Sequence, residues 1–223
     1  MTERHAVVQA ELRVRVTELV RSIDASALDQ PAAATPGWRV RDVLAHMVGV
    51  SDDVVNGRLD GIASDAWTEA QVDKRRDVSI DDLLGDWEHY GPDFEKLLAG
   101  APEEIAGQAL FDAATHEHDV RQAIGRPGAR DSNAMDLSWQ WLVNTRTGAG
   151  APAIRFVTEH GDDVAGTGEP QLTVRAPRFE LLRATTGRRT TEEIASYEWD
   201  PAPDVSFLLA APFFTIRTES LGE

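Results

Sequence analysis

Residues 112–128 read DAATHEHDVRQAIGRPG, and their first eight positions hold two histidines and two aspartates in a chain with only six histidines. The stretch ends with Gly125, a residue type favoured just after a helix, and with Pro127, which cannot continue one. The pattern therefore predicts a helix that begins between residues 103 and 108 and ends at Ile124.

Within such a helix, Asp112 and His116 share one face. Each residue advances by about 100°, so positions four apart lie roughly 40° apart, one turn above the other. His116 and His118 are instead about 200° apart and cannot bind one ion together. We therefore expect His118 to be a bystander on the solvent side.

Three amphipathic helices are predicted before this one. Apolar residues at helical spacing mark them at residues 3–23, 40–57 and 79–100, and Pro92 is expected to kink or interrupt the third. His46 lies on the apolar side of the second helix. Four helices in sequence are typical of a helical bundle.

The remainder of the chain changes character. SNAMDLSWQWLVNTRTG, residues 132–148, gives a fifth helical pattern, and the alternating segments AIRFVTE and PQLTVRAP predict short strands before helical patterns return. The sequence thus predicts a mainly α protein with two domains. A helical bundle would cover residues 1–148, and a small α+β domain packed on it would cover residues 149–223.

Composition limits the chemistry. With 38 acidic and 22 basic residues, the formal charge of −16 repels nucleic acid and anionic lipid, so neither is an expected partner. The absence of cysteine excludes disulfides, thiolate ligands and a sulfur nucleophile, so any thiol must come from another molecule. No long apolar segment or nucleotide-binding, nucleophile-elbow or zincin motif is present, and we expect a soluble, cytoplasmic protein.

A metal site is one interpretation of these residues. A catalytic ion needs about three protein ligands, so a third must join Asp112 and His116, and His46 is the best candidate. The alternative is a surface hydrogen bond on one helix and an ordinary core histidine on the other. Because facing helices of a bundle commonly build metal sites in its core, the sequence favours the metal.

The same residues carry a family resemblance. GWRVRDVLAHM, residues 37–47, followed by DAATHEHDVRQAIGRPG resembles the DinB-like metal-binding four-helix bundle, specifically its actinobacterial branch of mycothiol-dependent maleylpyruvate isomerases. The resemblance implies that His46, Asp112 and His116 are the metal ligands. Asp112 stands where characterised members carry Glu or His.

The resemblance also implies a function. It indicates an enzyme that binds a divalent metal, Zn²⁺ above all, and activates mycothiol for isomerisation of, or transfer to, a small electrophilic substrate. The substrate carboxylate would be held by Arg183, Arg188 or Arg189, and the protein would be a monomer or homodimer. The alternatives are a non-catalytic metal-binding or ligand-sensing module and, ranked last, a two-His, one-carboxylate iron oxygenase.

Two further features follow from the resemblance. Asp119 either orients an imidazole, because it lies three residues from His116, or is a solvated carboxylate paired with a neighbouring side chain. Residues 67–87 resemble the loop and third helix of relatives, and Arg75 and Arg76 within them are expected in a solvated charge run.

Overall fold

The computed structural model describes residues 2–149, 152–202 and 214–223. The chain divides into two compact units, Met1–Gly128 and Ala129–Glu223. The predicted mainly α fold with a small C-terminal sheet is confirmed. The helical segment at residues 132–148, assigned to the bundle from the sequence, lies in the second unit.

The first unit is helical. Its helices are α1 (Thr2–Arg21), α2 (Ala25–Leu28), α3 (Val40–Val55), α4 (Asp65–Arg75), α5 (Ile80–Gly100) and α6 (Glu103–Ala123). The long helices α1, α3, α5 and α6 form a bundle in which α5 and α6 each pack against α1 and α3. Apolar residues at helical spacing fill its core, including Leu12, Val16, Leu44, Leu83 and Leu110.

Local sequence sets the limits of α5. Ser79 is its N-cap, and its hydroxyl accepts a hydrogen bond from the Asp82 backbone N–H at 3.1 Å. The helix runs through Pro92 as one element, so the expected interruption is absent.

Helix α4 occupies a segment for which a loop was expected. Ser64 caps its N-terminus, and the helix packs along α3. Gly49 of α3 permits close approach, because a Cβ at that position would lie only 2.6 Å from the Cβ of Gln71. Arg75 is buried rather than part of a solvated charge run, whereas Arg76 is exposed.

The second unit combines helices with a four-stranded sheet. Its elements are α7 (Asn133–Gly148), β1 (Pro152–Thr158), β2 (Gly161–Ala165), β3 (Thr167–Arg175), α8 (Arg178–Thr185), α9 (Thr191–Ala195) and β4 (Glu198–Asp200). The strand order is β2-β1-β3-β4, with β1 and β3 parallel and the two outer pairs antiparallel. Trp139 of α7 packs edge-on against Phe156 of β1, with ring centroids 5.1 Å apart.

Among the helices in the part of the chain that the structure describes, none is both long enough and apolar enough to cross a bilayer.

Candidate metal centre

Three predicted ligand residues meet in the first unit. His46 comes from α3, Asp112 and His116 come from α6, and one ligand atom from each lies within 4.8 Å of the other two. The His46 Nε2 atom is 3.3 Å from Asp112 Oδ2, and His116 Nε2 is 3.6 Å from Asp112 Oδ1. Both imidazoles therefore present Nε2 to the same carboxylate.

The other nitrogen of each imidazole is engaged elsewhere. His46 Nδ1 lies 2.8 Å from the Oε1 atom of Gln71, and His116 Nδ1 lies 3.0 Å from Asp119 Oδ2. These contacts fix the orientation of both rings. Metal-binding histidines are commonly held in this way, with the second ring nitrogen bonded to a carboxylate or carbonyl oxygen.

The groups around the cluster favour a cation at this place. His46 is 3% exposed and His116 9%, whereas the Asp112 side chain is 42% exposed, so the cluster meets solvent on the Asp112 side. Burial by itself lowers the pKa of His46, but the Asp112 carboxylate and Gln71 raise it, and the net shift is upward. The environment of His46 thus stabilises positive charge.

Trp38 borders both imidazoles. Its ring centroid is 5.7 Å from that of His46 and 6.3 Å from that of His116. The tryptophan precedes α3 in the GWRV run and is half-buried, so it forms an aromatic wall beside the site.

A family model described as the mycothiol maleylpyruvate isomerase N-terminal domain matches residues 10–200 of the chain. The chain belongs to this family. The DinB-like helical bundle expected from the two motifs agrees with that membership. No curated protein matches the chain.

Two solved structures share the fold. One is a crystal structure of a histidine-to-alanine mutant of the mycothiol-dependent maleylpyruvate isomerase, with a TM-score of 0.62 and 11% identity. The other is a crystal structure of the mycothiol-dependent maleylpyruvate isomerase, with a TM-score of 0.56 and 12% identity. Each match covers 91% of this chain and 94% of the other, and at these identities the likeness shows the fold.

Asp119 lies inside the protein. Its exposure is 0%, and its carboxylate contacts His116 Nδ1, so it is not the solvated carboxylate that the sequence also allowed. The contact spans three residues of α6, the spacing at which helical neighbours meet.

The expectation that His118 faces solvent is wrong. His118 is only 4% exposed, so this side of α6 is covered as well. The neighbouring Glu117 is 1% exposed and accepts two hydrogen bonds from Arg15 of α1, at 2.8 and 2.6 Å. His118 therefore belongs to the packed interior, outside the cluster of Asp112 and His116.

The three candidate arginines lie in the second unit. Arg183 and Arg189 are buried, and both pair with the side chain of Glu223, at 2.8 and 2.5 Å. Arg189 also pairs with Glu180 at 2.5 Å. Arg188 is buried too and donates to a backbone carbonyl oxygen at 2.7 Å. Two of the three guanidinium groups thus already balance carboxylates of the chain.

Another group of possible ligands lies in the second unit. Asp131, Glu159 and His160 have ligand atoms within 4.8 Å of one another, and all three side chains are exposed. His160 Nε2 is 3.5 Å from a carboxylate oxygen of Glu159. Because it is solvent-exposed, this group serves as an internal comparison for the buried cluster.

Gln71 is the site residue that the sequence analysis missed. It lies on α4, and a sequence signal for that helix exists: Ser64 suits an N-cap, Asp65 the first turn, and Lys74 and Arg75 the last turn. Nothing in the sequence indicates that Gln71 contacts His46.

Proposed function

We propose that this chain is a divalent-metal enzyme that activates a low-molecular-weight thiol, mycothiol, in a maleylpyruvate isomerase-like reaction. The observation that carries the proposal is the convergence of two imidazole Nε2 atoms on one carboxylate, with both Nδ1 atoms held by buried partners. Family membership supports the choice of the thiol and of the class of reaction.

The residues fit a metal ion. Two imidazole nitrogens and a carboxylate oxygen form a donor set that Zn²⁺ takes, so His46, Asp112 and His116 would hold it. When bound, a divalent ion lowers the pKa of a thiol that approaches it, as it does for water. A cysteine-free chain can obtain a reactive sulfur in this way.

The surrounding residues have separate tasks. Gln71 and Asp119 orient the two imidazoles. Asp112 lies at the solvent side of the cluster, where a thiol can reach the ligands and where the proton of the thiol can leave. Trp38 shields the imidazole faces from water. The chain's own groups would thus orient the metal ligands and partly exclude water from the place that a thiol would reach.

The substrate would be a small electrophile that is isomerised by reversible thiol addition or receives the thiol. Arg183, Arg188 and Arg189 remain the candidates for binding its carboxylate. Since Glu223 already pairs with Arg183 and Arg189, a substrate carboxylate would have to displace Glu223 to bind either of these two.

Metal content is the first test. We expect the purified protein to contain a single divalent ion per chain, and we expect His46→Ala and His116→Ala each to remove it. His160→Ala and His89→Ala are matched controls, because both histidines are exposed and lie outside the cluster. Full occupancy in both ligand variants, or loss in His160→Ala, would overturn the assignment.

Thiol binding separates an enzyme from a non-catalytic metal-binding module. Mycothiol added to the Co²⁺-substituted protein should give a sulfur-to-metal charge-transfer band and release a proton, measured by calorimetry in buffers of different ionisation enthalpy. Turnover of maleylpyruvate with mycothiol then tests the reaction itself. A protein that keeps its metal but gives neither band nor proton is the non-catalytic module.

A further inference from the structure

We propose that Gln71 and Asp53 form a positioning pair that holds His46 in the tautomer with its proton on Nδ1. In the neutral imidazole the lone pair is then on Nε2, the atom that lies 3.3 Å from Asp112 Oδ2 and that a metal ion would bind. The benefit of this arrangement rests on the proposed metal site. The tautomer itself can be measured in metal-free protein, so the two ideas fail separately.

Consecutive short contacts connect His46 to Gln71 and Gln71 to Asp53. Gln71 Oε1 lies 2.8 Å from His46 Nδ1, and Gln71 Nε2 donates to Asp53 Oδ2 at 2.9 Å. The other oxygen of Asp53 accepts from Arg58 Nε at 2.8 Å. His46, Gln71 and Asp53 are 3%, 1% and 8% exposed, so water does not compete freely for these groups.

The chemistry of these groups allows one arrangement. A carboxylate paired with a guanidinium only accepts hydrogen bonds, so the amide of Gln71 must turn its NH₂ group toward Asp53. Its carbonyl oxygen then faces His46 Nδ1 and also only accepts, which requires the proton on Nδ1. The reverse amide orientation would bring two oxygen acceptors together at 2.9 Å and leave both unsatisfied.

The packing of α4 on α3 places Gln71 beside His46 Nδ1. Gly49 lies one helical turn after His46, and the absence of a side chain there makes room for the Cβ and Cγ atoms of Gln71. One turn later on α4, Arg75 pairs with Asp52 at 2.6 Å. The helix is thus fixed beside His46 by contacts that are independent of the amide.

The partners of the two imidazoles differ in charge. His116 faces the carboxylate of Asp119, whereas His46 faces the neutral amide of Gln71. The amide fixes the tautomer without adding negative charge beside Asp112. The negative charge behind His46 lies one residue beyond Gln71, on the Asp53 carboxylate, which pairs with Arg58.

The test measures tautomer and metal affinity in the same variants. Protein labelled with ¹⁵N-histidine is prepared metal-free and studied by NMR at alkaline pH, with the His46 signals assigned through His46→Ala. We expect the Nδ1–H tautomer in the wild type. Gln71→Met keeps the volume but removes the acceptor, so it should lose this preference and bind Zn²⁺ about 10- to 100-fold more weakly. Gln9→Met, at a buried glutamine of α1, should change neither quantity.

A reversed pair supplies the rescue. In the double variant Gln71→Glu with Asp53→Asn, the carboxylate at position 71 still accepts from His46. The new amide at position 53 then donates to that carboxylate. The double variant should restore the Nδ1–H tautomer and most of the Zn²⁺ affinity, whereas Asp53→Asn alone should lose the preference because the Gln71 amide can then adopt either orientation. A Gln71→Met variant that retains both tautomer and affinity would overturn the proposal. A wild type that shows the tautomer but binds no metal would overturn only the proposed function.

Discussion

Asp52 provides the sharpest test of how α4 is held. Its side chain is 3% exposed and accepts hydrogen bonds from Arg75 at 2.6 Å and from Lys74 at 2.7 Å, while Arg58 pairs with it at 2.5 Å. Arg75 is 2% exposed, whereas Lys74 and Arg58 are 56% and 45% exposed. Asp52→Asn therefore leaves one buried cation without its carboxylate and two cations that water can solvate.

The magnitude follows from these exposures. Removal of one partner of a buried ion pair costs about 3–5 kcal/mol, because the remaining charge stays buried without compensation. The pairs with Lys74 and Arg58 add at most about 1 kcal/mol each, since exposed ion pairs contribute little. We therefore expect Asp52→Asn to lower the free energy of unfolding by about 3–5 kcal/mol at neutral pH, nearly all of it through Arg75.

The pH dependence has a defined sign. Burial alone would raise the pKa of Asp52, but its hydrogen bonds with Lys74, Arg58 and Arg75 lower it well below the ordinary value of 3.8. A group with a depressed folded-state pKa stabilises the fold above its unfolded-state pKa, and this contribution is lost as the pH falls toward the folded-state value. The difference between wild type and variant should be constant near neutrality and shrink in acid below about pH 4.

Urea denaturation at neutral and acidic pH measures this difference. Asp73→Asn is the matched control, because Asp73 is exposed and pairs with the exposed Arg76, so its effect should stay within about 0.5 kcal/mol. Arg75→Met combined with Asp52→Asn should cost less than the sum of the single changes. An Asp52→Asn protein within about 0.5 kcal/mol of wild type would refute the reasoning.

Three further changes address the site itself. Asp119→Asn should weaken Zn²⁺ binding about 10- to 100-fold in chelator competition, because an amide adds no charge behind His116; unchanged affinity would contradict this. Gly49→Ala should lower the free energy of unfolding, measured in urea, by about 1–3 kcal/mol and should weaken Zn²⁺ binding, since the new Cβ would lie 2.6 Å from the Cβ of Gln71. An unchanged free energy of unfolding would show that α4 can move away from α3 at no cost. Asp112→Ala should bind metal more weakly, yet any metal retained should acidify a bound thiol more strongly, and a smaller proton release at full occupancy would argue against this.

The meeting of His46, Asp112 and His116 could be predicted because its signals are local. Asp112 and His116 are four residues apart on one helix, and His46 is a polar residue on an apolar stripe. Both patterns depend only on the period of the α-helix, which the sequence shows directly. The structure then brings the three residues together from α3 and α6.

One residue was placed wrongly and one was missed because their surroundings depend on tertiary packing. His118 was assigned to solvent on the assumption that one side of a bundle helix faces water, but it is 4% exposed. Gln71 was missed because its contact with His46 depends on how closely α4 approaches α3. The absence of a side chain at Gly49 allows the two helices to lie this close, and the periodic pattern of the sequence does not indicate the distance between them.

A bound divalent ion would allow a strongly acidic chain to accept a thiolate at this cluster without net repulsion. Asp112 and Asp119 bring two carboxylates beside two imidazoles, so the metal-free site is negative within a chain of formal charge −16 and favours a cation. A divalent ion would balance these two carboxylates, and an approaching thiolate would then meet no net repulsion at the ligands. Arg183 and Arg189 of the second unit are already paired with Glu223. We therefore expect thiol affinity to depend on metal occupancy far more steeply than on substitution of those arginines, which would act on the substrate carboxylate.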